Sequence, residues 1–243
     1  MLRCSYRSVG RASLPAAQLS PSCVHGGQGR PPHRRPLLQR DVMLEGLLIV
    51  AAYLIGSIPT GVIVGRIRGF DPRAVGSGNI GTSNVVRAGG MSAAAMTLAG
   101  DVLKGAIPVL VARAAGFPAA TIAWTGLAAF IGAICSVFLF FQGGKGIAAA
   151  LGVWLAISPT AILFALIVFA VVLAISRIMS LASIGAAIAL PPTVAILGLP
   201  NQYLLLAIVM TALALFRHRE NIRRLSRGEE PKFQPRRADR AAS

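Results

Sequence analysis

The chain has 243 residues, of which 55% are hydrophobic and only 13% are charged. Soluble domains carry about 25% charged residues, so this composition, with a mean hydropathy of +0.68, is typical of a membrane protein. The net charge of +16 could suggest nucleic-acid binding, but the long apolar segments favour anionic membrane lipid as the partner of the basic ends. The three cysteines form no CxxC or Cys/His pattern, so we predict neither a metal site nor a disulfide framework.

Residues 1–42 differ in composition from the rest of the chain. They are rich in Arg, Ser, Pro and Gly, and their first acidic residue is Asp41. Organellar transit peptides share this bias, but we interpret the segment as a disordered basic tail or as the product of a start site placed too far upstream. Met43 immediately precedes the first apolar segment and is a plausible start. We therefore expect a membrane domain at residues 43–216 and a basic cytoplasmic tail at residues 217–243.

Seven apolar segments predict an all-α fold, a polytopic membrane bundle of about seven transmembrane helices. The predicted helices cover residues 44–65, 91–113, 119–141, 146–158, 160–176, 179–198 and 202–216. The fourth is short for a hydrocarbon core of ~30 Å and could be continuous with the fifth. Because Pro159 disfavours a helical conformation at Ser158, two helices joined at this point explain the sequence better.

The basic residues between these segments predict the orientation of the bundle. With seven spans, one side of the membrane receives most of the loop cations, and the other receives the short turns near Gly116, Pro159 and Pro200. The positive-inside rule then places the loops at 67–90 and 142–146 in the cytoplasm, together with the C-terminal tail. The same topology puts the Arg-rich N-terminal segment on the opposite side, which is a second reason to doubt that segment.

The most informative loop runs from Gly76 to Arg87 and reads GSGNIGTSNVVR. Glycines let backbone amides surround an anion, and the hydroxyl and amide side chains add further donors. Arg87 offers a planar fork that can bind two phosphate oxygens at once. An ordinary Gly/Ser/Asn turn is the simpler alternative, but this run ends in an arginine at a membrane boundary. We therefore predict a phosphate-binding loop, with the next helix beginning just after Arg87.

A second glycine-rich element, Gly143-Gly144-Lys145-Gly146, precedes the fourth predicted helix. Unpaired amides and the helix dipole make a helix N-terminus attractive to anions, and Lys145 adds a full positive charge. The GxxxxGK[ST] spacing of a Walker A motif is absent. Taken alone, the element is equally well explained as a turn between two helices.

Three further groups have two interpretations each. Asp101 and Lys104 lie three residues apart inside the second predicted span, where ionisable groups usually face a bundle interior or a wet cavity. They are either a structural ion pair or part of an anion site. Ser183 could cap the sixth helix or donate to a ligand. His218 and Asn221 share a helical face at the start of the tail, on the cytoplasmic side of the predicted bundle.

Together these motifs resemble the bacterial acyl-phosphate-dependent glycerol-3-phosphate acyltransferase family. The resemblance covers about Leu44 to Phe233, and several motifs occur in the family's order. They are Gly56-Ser57-Ile58-Pro59, the Gly76–Arg87 loop, Asp101-Val102-Leu103-Lys104-Gly105, Phe141-Gln142-Gly143-Gly144-Lys145-Gly146, Arg177 with Ser180 and Ser183, Arg217-His218-Arg219-Glu220-Asn221-Ile222, and Gly228-Glu229.

The resemblance implies a seven-helix protein of the bacterial inner membrane with its active site near the cytoplasmic face. Such an enzyme would move a fatty acyl group from acyl-phosphate to the 1-hydroxyl of glycerol 3-phosphate, without a cofactor. We expect the reaction to depend on Ser77, Arg87, Lys145, His218 and Asn221. Substrate contacts are expected from Gly76, Gly78, Asn79, Gly81, Thr82, Asn84, Lys104, Gly143, Gly144, Gly146 and Ser183. His218 is either a general base or only a phosphate ligand.

One motif departs from the family pattern. Where relatives read Gly-His-x-Phe-Pro, this chain has Gly132, Ala133, Ile134, Cys135 and Ser136. The missing His and Pro leave open a weakened or specialised paralogue. The alternative from another class is a transporter of phosphorylated anions, which would use the same basic loops, although the sequence lacks the inverted repeats that transporters often contain.

Overall fold

The structure is a computed structural model that describes residues 35–232, with side chains from Val42 onward. Within this range the prediction of an all-α fold is confirmed. The α-helices are α1 (Arg35–Gly56), α2 (Thr60–Arg68), α3 (Thr82–Ala114), α4 (Ala119–Ile134), α5 (Ile147–Ile157), α6 (Pro159–Ser176), α7 (Met179–Ile196), α8 (Asn201–Arg217) and α9 (Arg219–Ser226). Most of the predicted N-terminal tail lies outside the described residues.

All seven predicted apolar segments are α-helical over most of their length. Five stretches are long and apolar enough to cross a membrane: Val42–Arg68, Thr82–Ala114, Ala119–Leu139, Pro159–Ser176 and Met179–Ile196. The other two apolar helices, α5 and α8, are shorter. Large apolar side chains cover the outer surface, with Ile175 at 81% and Ile196 at 85% exposure. Such a surface suits lipid rather than water, so the protein is an integral membrane protein.

The first predicted helix, residues 44–65, is broken in the structure, which corrects the prediction of one continuous segment. Helix α1 ends at Gly56 and α2 begins at Thr60. Pro59 lies in the break, where it has no N–H to continue the helical hydrogen bonds. Hydropathy alone did not reveal this break, because the apolar character of the sequence continues across it.

Asp101 and Lys104 of α3 stabilise this break. Lys104 Nζ donates to the carbonyl oxygen of Ile58 at 3.0 Å and forms an ion pair with Asp101 at 2.8 Å. The hydroxyl of Thr60 also donates to Asp101. The buried pair therefore has a structural role, one of the two interpretations that the sequence left open, because it ties α3 to the carbonyl of Ile58, which also accepts from the amide of Thr60 at 3.0 Å.

Helix α3 begins at Thr82, so the prediction that the helix follows Arg87 is wrong. The helix continues across Gly90, whose φ of 79° and ψ of −175° produce a kink. Thr82 and Arg87 therefore lie on the first two turns of α3. This places the unpaired amides and the positive end of the helix dipole beside the glycine-rich loop.

Helix α4 ends at Ile134, seven residues before the predicted end at 141. Two hydrogen bonds tie the chain after it to the α1–α2 break: the Tyr53 hydroxyl donates to the carbonyl of Cys135 at 2.9 Å, and the Ser136 hydroxyl donates to the carbonyl of Ser57. The end of α4 is therefore set by contacts with α1, which its own apolar sequence does not reveal.

The predicted break at Ser158 is confirmed, since α5 ends at Ile157 and α6 begins at Pro159. Ser158 caps α6 by accepting a hydrogen bond from the amide of Ala161 at 3.2 Å. The short helix α5 packs closely on α3, because a Cβ at Gly152 would lie 1.9 Å from the carbonyl oxygen of Val102. Such glycines let two membrane helices approach each other, and they fix the position of the GGKG element that precedes α5.

Candidate active site

A cavity of about 820 Å³, here called the active-site cavity, lies among α3, α5, α6, α7, α8 and the C-terminal segment. Polar residues line it at the helix ends: the 76–87 segment, Lys145, His218, Asn221 and Glu230. Apolar residues line it at mid-helix positions, namely Ile162, Ala165, Leu166, Phe169, Leu190 and Met210. The cavity thus joins a polar end, at one boundary of the bundle, to an apolar end inside it.

Asn84 organises the loop that forms one wall of the polar end. Its side chain is only 2% exposed, and its Oδ1 accepts a hydrogen bond from the amide of Ser77 at 3.0 Å. Its Nδ2 lies 2.6, 3.0 and 2.8 Å from the carbonyl oxygens of Pro72, Val75 and Asn79. These bonds occupy the amide group, so Asn84 positions the loop, whereas the sequence suggested that it contacts substrate.

The backbone of this loop explains its glycines. Gly76 and Gly78 have φ values of 62° and 66°, in the left-handed region that side chains disfavour. A Cβ at Gly76 would lie 2.5 Å from Asn84 Oδ1 and would displace the residue that holds the loop. The loop leads into the N-terminus of α3 at Thr82, whose Oγ1 is buried without a hydrogen-bond partner among the described residues. This arrangement leaves hydrogen-bonding groups available to an anionic ligand.

Two predicted cations reach the polar end of the cavity. Arg87 and Lys145 both line it, and neither forms an ion pair with a described residue. Burial lowers the pKa of Lys145 to about 8, and the nearby positive charges of Arg224 and Arg87 act in the same direction. A bound anion would reverse this effect by stabilising the charged amine. The polar end therefore has an excess of positive charge that favours phosphate groups.

The GGKG element is held in place from the other end of the chain. Arg217 donates from Nη2 to the carbonyl of Gly143 at 2.6 Å and from Nε to the carbonyl of Gly144 at 3.1 Å. Gly146 precedes α5 with a φ of 75°, and a Cβ there would lie 2.6 Å from the ring of Phe130. Arg217 therefore fixes the loop that presents Lys145.

His218 is 2% exposed and lines the cavity at the C-terminal end of α8. Its Nδ1 lies 2.7 Å from the carbonyl oxygen of Ala214, so Nδ1 carries the proton and Nε2 is the acceptor. Burial lowers the pKa of His218 to about 4, although the hydrogen bond to Ala214 acts against this shift. His218 is therefore neutral at pH 7 and can accept a hydrogen bond through Nε2.

Glu230 is a cavity residue that the sequence analysis missed. Its side chain is 8% exposed and accepts hydrogen bonds from Ser180 at 2.7 Å, Asn221 at 2.6 Å and Arg224 at 2.6 Å. Burial acts to raise its pKa, but these hydrogen bonds outweigh burial and lower the pKa. Glu230 joins α7 to the C-terminal segment and holds Asn221 against the cavity. The one available signal was an acid followed by proline in a basic tail.

The structure brings most of the predicted site residues together. Of the sixteen, fourteen line the active-site cavity, and only Gly78 and Gly143 do not. Ser183 lines it while donating to the carbonyl of Met179 at 2.9 Å, a bond within its own helix. Lys104 also lines it, in addition to stabilising the α1–α2 break. Trp154, which no motif indicated, is fully buried on the cavity wall with an Nε1–H that has no partner among the described residues.

The segment that departs from the family pattern supports the GGKG element. The amide of Gly144 donates to the carbonyl of Ala133 at 3.1 Å, and a Cβ at Gly143 would lie 2.5 Å from the same oxygen. Ala133 also lines the active-site cavity, at the position where the family resemblance led us to expect His. The backbone at this point is therefore well supported, and the change of residue type alters the cavity wall.

Comparison with known proteins identifies the same family that the sequence motifs resemble. A family model described as glycerol-3-phosphate acyltransferase matches residues 46–228. A glycerol-3-phosphate acyltransferase of Geotalea daltonii is 50% identical over 189 residues, which are 78% of this chain and 97% of the relative. A protein of the same name from Geobacter sulfurreducens is 48% identical over 192 residues, which are 79% of this chain and 99% of the relative.

Two solved structures also match. Both are crystal structures of PlsY (YgiH), an integral membrane glycerol 3-phosphate acyltransferase. Its glycerol 3-phosphate form is 42% identical, with a TM-score of 0.76, over 79% of this chain and 96% of that one. Its lysophosphatidic acid form is 40% identical, with a TM-score of 0.75 and the same coverage. The chain therefore belongs to the glycerol-3-phosphate acyltransferase family, as its motifs and its cavity predict.

Proposed function

We propose that the protein transfers a fatty acyl group from acyl-phosphate to the 1-hydroxyl of glycerol 3-phosphate, giving lysophosphatidic acid and inorganic phosphate. The observation that carries this proposal is the continuity of the active-site cavity, which joins a cationic end to an apolar end. The two substrates together need both environments, because each bears phosphate and one also bears an acyl chain. The two PlsY structures, named for glycerol 3-phosphate and lysophosphatidic acid, support the same acceptor and product.

The polar end supplies the phosphate contacts in this proposal. Arg87 offers a two-pronged donor, and Lys145 offers a mobile point charge at the N-terminus of α5. The amides at the start of α3 and of α5 add donors of fixed direction. Cations and amides that are already in place stabilise developing negative charge without reorganising during the reaction. We assign Ser77, Asn79 and Thr82 to hydrogen bonds with the same phosphates.

The apolar end supplies the acyl contacts. Phe169 of α6, Leu190 of α7 and Met210 of α8 line the cavity within the bundle. An acyl chain placed there stays out of water, and each buried methylene contributes about 0.8 kcal/mol. The acyl-phosphate group then lies at the junction of the two ends, near His218. This geometry holds the carbonyl carbon beside the acceptor hydroxyl, and such positioning accelerates reaction of an already activated donor.

The reaction exchanges one bond for another. The 1-hydroxyl oxygen of glycerol 3-phosphate attacks the acyl carbonyl carbon, and the bond from that carbon to the phosphate oxygen breaks. A histidine with a pKa of about 4 holds an added proton weakly, whereas the phosphate oxyanion released from the acyl carbon is far more basic and leaves as hydrogen phosphate. We therefore assign the hydroxyl proton to the departing phosphate. His218 Nε2 accepts a hydrogen bond from the hydroxyl and orients it.

The orientation in the membrane follows from charge. We place the protein in the bacterial inner membrane with the polar end of the cavity facing the cytoplasm, because the basic loops and the C-terminal segment meet there. Single cysteines at Ser77 and Glu220, both of which are exposed, test this topology in a cysteine-free background. Neither should react with a membrane-impermeant thiol reagent in intact cells, and both should react after lysis. Labelling of either one in intact cells would contradict the topology.

The activity is tested with purified protein in detergent. Acyl-phosphate and glycerol 3-phosphate should yield lysophosphatidic acid and inorganic phosphate in equal amounts, and acyl-CoA should not replace the donor. Detergent micelles have no sealed compartments, so product formation also separates an enzyme from a transporter of phosphorylated anions. Lys145→Ala serves as the matched inactive control. Equal product from wild type and Lys145→Ala, or none from wild type with acyl-phosphate, would overturn the proposal.

A further inference from the structure

A second cavity, here called the arginine cavity, has a volume of about 590 Å³ and lies on the other side of the Ser77–Ile80 loop. Ser77, Asn79 and Ile80 line both cavities, so this short loop is the wall between them. The family's motifs explain the active-site cavity. The arginine cavity has a different lining, which combines basic side chains of α2, the 69–75 turn and α8 with the aromatic segment after α4.

The lining of the arginine cavity is positively charged. Arg66, Arg73 and Arg217 line it, and the nearby acid is Asp71, which forms an ion pair with Arg73 at 2.9 Å. Hydrogen bonds from Arg73 lower the pKa of Asp71, and the charge of Arg66 contributes to the same shift. Three cations and one anion leave two positive charges uncompensated. Arg66 has no hydrogen-bond partner among the described residues, so its guanidinium is available to a ligand.

The rim of the arginine cavity is aromatic and exposed. Phe138, Phe140 and Phe141 line it and are 56%, 88% and 63% exposed. Phe140 and Phe141 have φ values of 50° and 64°, a left-handed conformation that bulky residues rarely adopt and that costs free energy. The amide of Phe141 donates to the carbonyl of Ser136 at 2.8 Å, which helps to hold this conformation. The strained backbone keeps the rings on the surface.

The position of this rim matches a membrane boundary. The rings follow the end of α4 at Ile134, and Arg66 is in the last turn of α2, so both lie where a candidate membrane-spanning stretch ends. Apolar rings at a membrane surface insert at the boundary between headgroups and acyl chains, and long basic side chains keep their cations hydrated at the headgroup level. The arginine cavity thus combines the two chemistries of a phospholipid, a phosphate and the upper part of its acyl chains.

We propose that the arginine cavity binds the headgroup phosphate of an anionic membrane phospholipid, with Phe138, Phe140 and Phe141 against its acyl chains. A bound headgroup contacts the Ser77–Ile80 loop from the side opposite the active-site cavity. It therefore stabilises the loop conformation that receives the substrate phosphate, and it lowers KM for glycerol 3-phosphate. The protein would thus sense the anionic lipid content of its own membrane. The activity readout of this inference rests on the proposed function, whereas the binding readout does not.

The test compares single and double variants of the two cavity arginines with a control variant that loses one charge, so each single variant has a control of equal charge. Arg66→Gln/Arg73→Gln removes two cavity cations, and Arg68→Gln removes a cation from the same helix end that does not line the cavity. Native mass spectrometry of the detergent-purified protein with phosphatidylglycerol measures bound lipid. Each cavity arginine removed should weaken retention roughly five-fold, and Arg68→Gln should leave it unchanged. In nanodiscs, adding phosphatidylglycerol to phosphatidylcholine should lower KM for wild type and Arg68→Gln, but not for the double variant.

Three outcomes would contradict the proposal. Equal weakening in Arg68→Gln would show that general surface charge attracts the lipid. Lowering of KM by inorganic phosphate in pure phosphatidylcholine nanodiscs would show that a free anion, rather than a lipid headgroup, occupies the cavity. Wild-type protein that retains no phosphatidylglycerol would overturn the site directly. Lipid retention without acyltransferase activity would support the site and count against the proposed function, so the two failures are distinguishable.

Discussion

Asn84 provides the sharpest test of how the phosphate-binding loop is built. Its amide accepts from the amide of Ser77 and donates to carbonyls on the same loop, so it should act by positioning the loop. Asn84→Ala removes one acceptor and two N–H donors. At about 1 kcal/mol net for each hydrogen bond, the closed loop should lose about 3 kcal/mol, which corresponds to a roughly hundred-fold lower kcat/KM for glycerol 3-phosphate.

Asn84→Asp separates shape from hydrogen bonding. The carboxylate has nearly the same shape but donates no hydrogen bond, and it would face the carbonyl oxygens of Pro72, Val75 and Asn79, which lie 2.6, 3.0 and 2.8 Å from Nδ2 in the native protein. Burying a charge against these oxygens should reduce kcat/KM at least as much as Asn84→Ala does. Kinetics in detergent measure the effect, and Asn201→Ala, at the exposed start of α8, is the matched control.

Hydrogen–deuterium exchange of residues 76–81 provides the structural readout. Faster exchange in both Asn84 variants, with slow exchange elsewhere in α3, is expected if the residue holds the loop. A higher KM with unchanged exchange would instead make Asn84 a direct substrate ligand. Near-normal kinetics in Asn84→Asp would refute the hydrogen-bond argument, because the carboxylate preserves packing but removes both donors and places a negative charge against the carbonyl oxygens.

Three further predictions concern charge and domain limits. Arg87→Lys should fold normally but lose roughly ten- to hundred-fold in kcat/KM for glycerol 3-phosphate. Lys offers no planar fork, and a lost charge-assisted hydrogen bond costs about 1.5–3 kcal/mol. Kinetics equal to those of wild type would instead make Arg87 a residue that only sets the membrane topology. Because burial lowers the pKa of Lys145 to about 8, its ammonium loses its proton as pH rises through that value, so kcat/KM should fall there. In Lys145→Arg this decline should move to higher pH, and an unmoved decline would contradict the assignment. A chain starting at Met43 should insert and remain active, because the family match begins at residue 46; failure to reach the membrane fraction would count against it.

The sequence predicted the helices and the two glycine-rich elements that line the cavity because their signals are local. Apolar runs of about 20 residues indicate spans, and Pro159 marked the break before α6. The boundaries that the sequence missed depend on distant contacts. The end of α4 depends on Tyr53, and the α1–α2 break depends on Lys104, more than 40 residues away in sequence. Periodicity and hydropathy contain no information about such partners.

The residue roles that the sequence analysis did not reveal have a related cause. Asn84 looked like a ligand because amide side chains suit phosphate binding, but the left-handed turn at Gly76 directs its hydrogen bonds to the loop itself. Glu230 lies beyond α9 in a segment without regular structure, so no pattern indicated its burial. Arg217 belongs to a motif of the family resemblance, but the motif did not reveal its role, because that role depends on carbonyls more than 70 residues away. Residue types predicted which side chains line the cavity. The fold was needed to decide which of them can contact a substrate and which hold other residues in place.

The C-terminal segment is an integral part of the site, because its contacts control the charge at the polar end. Burial and neighbouring cations destabilise the ammonium of Lys145, and the negative charge of Glu230 acts in the opposite direction. Without substrate, Glu230 therefore partly neutralises the cation cluster around Lys145. When a phosphate binds, the same carboxylate repels it, which limits affinity for phosphate substrate and product alike. The proposed reaction releases a phosphate in each turnover and would benefit from such a limit, since binding substrate and transition state equally tightly does not raise kcat.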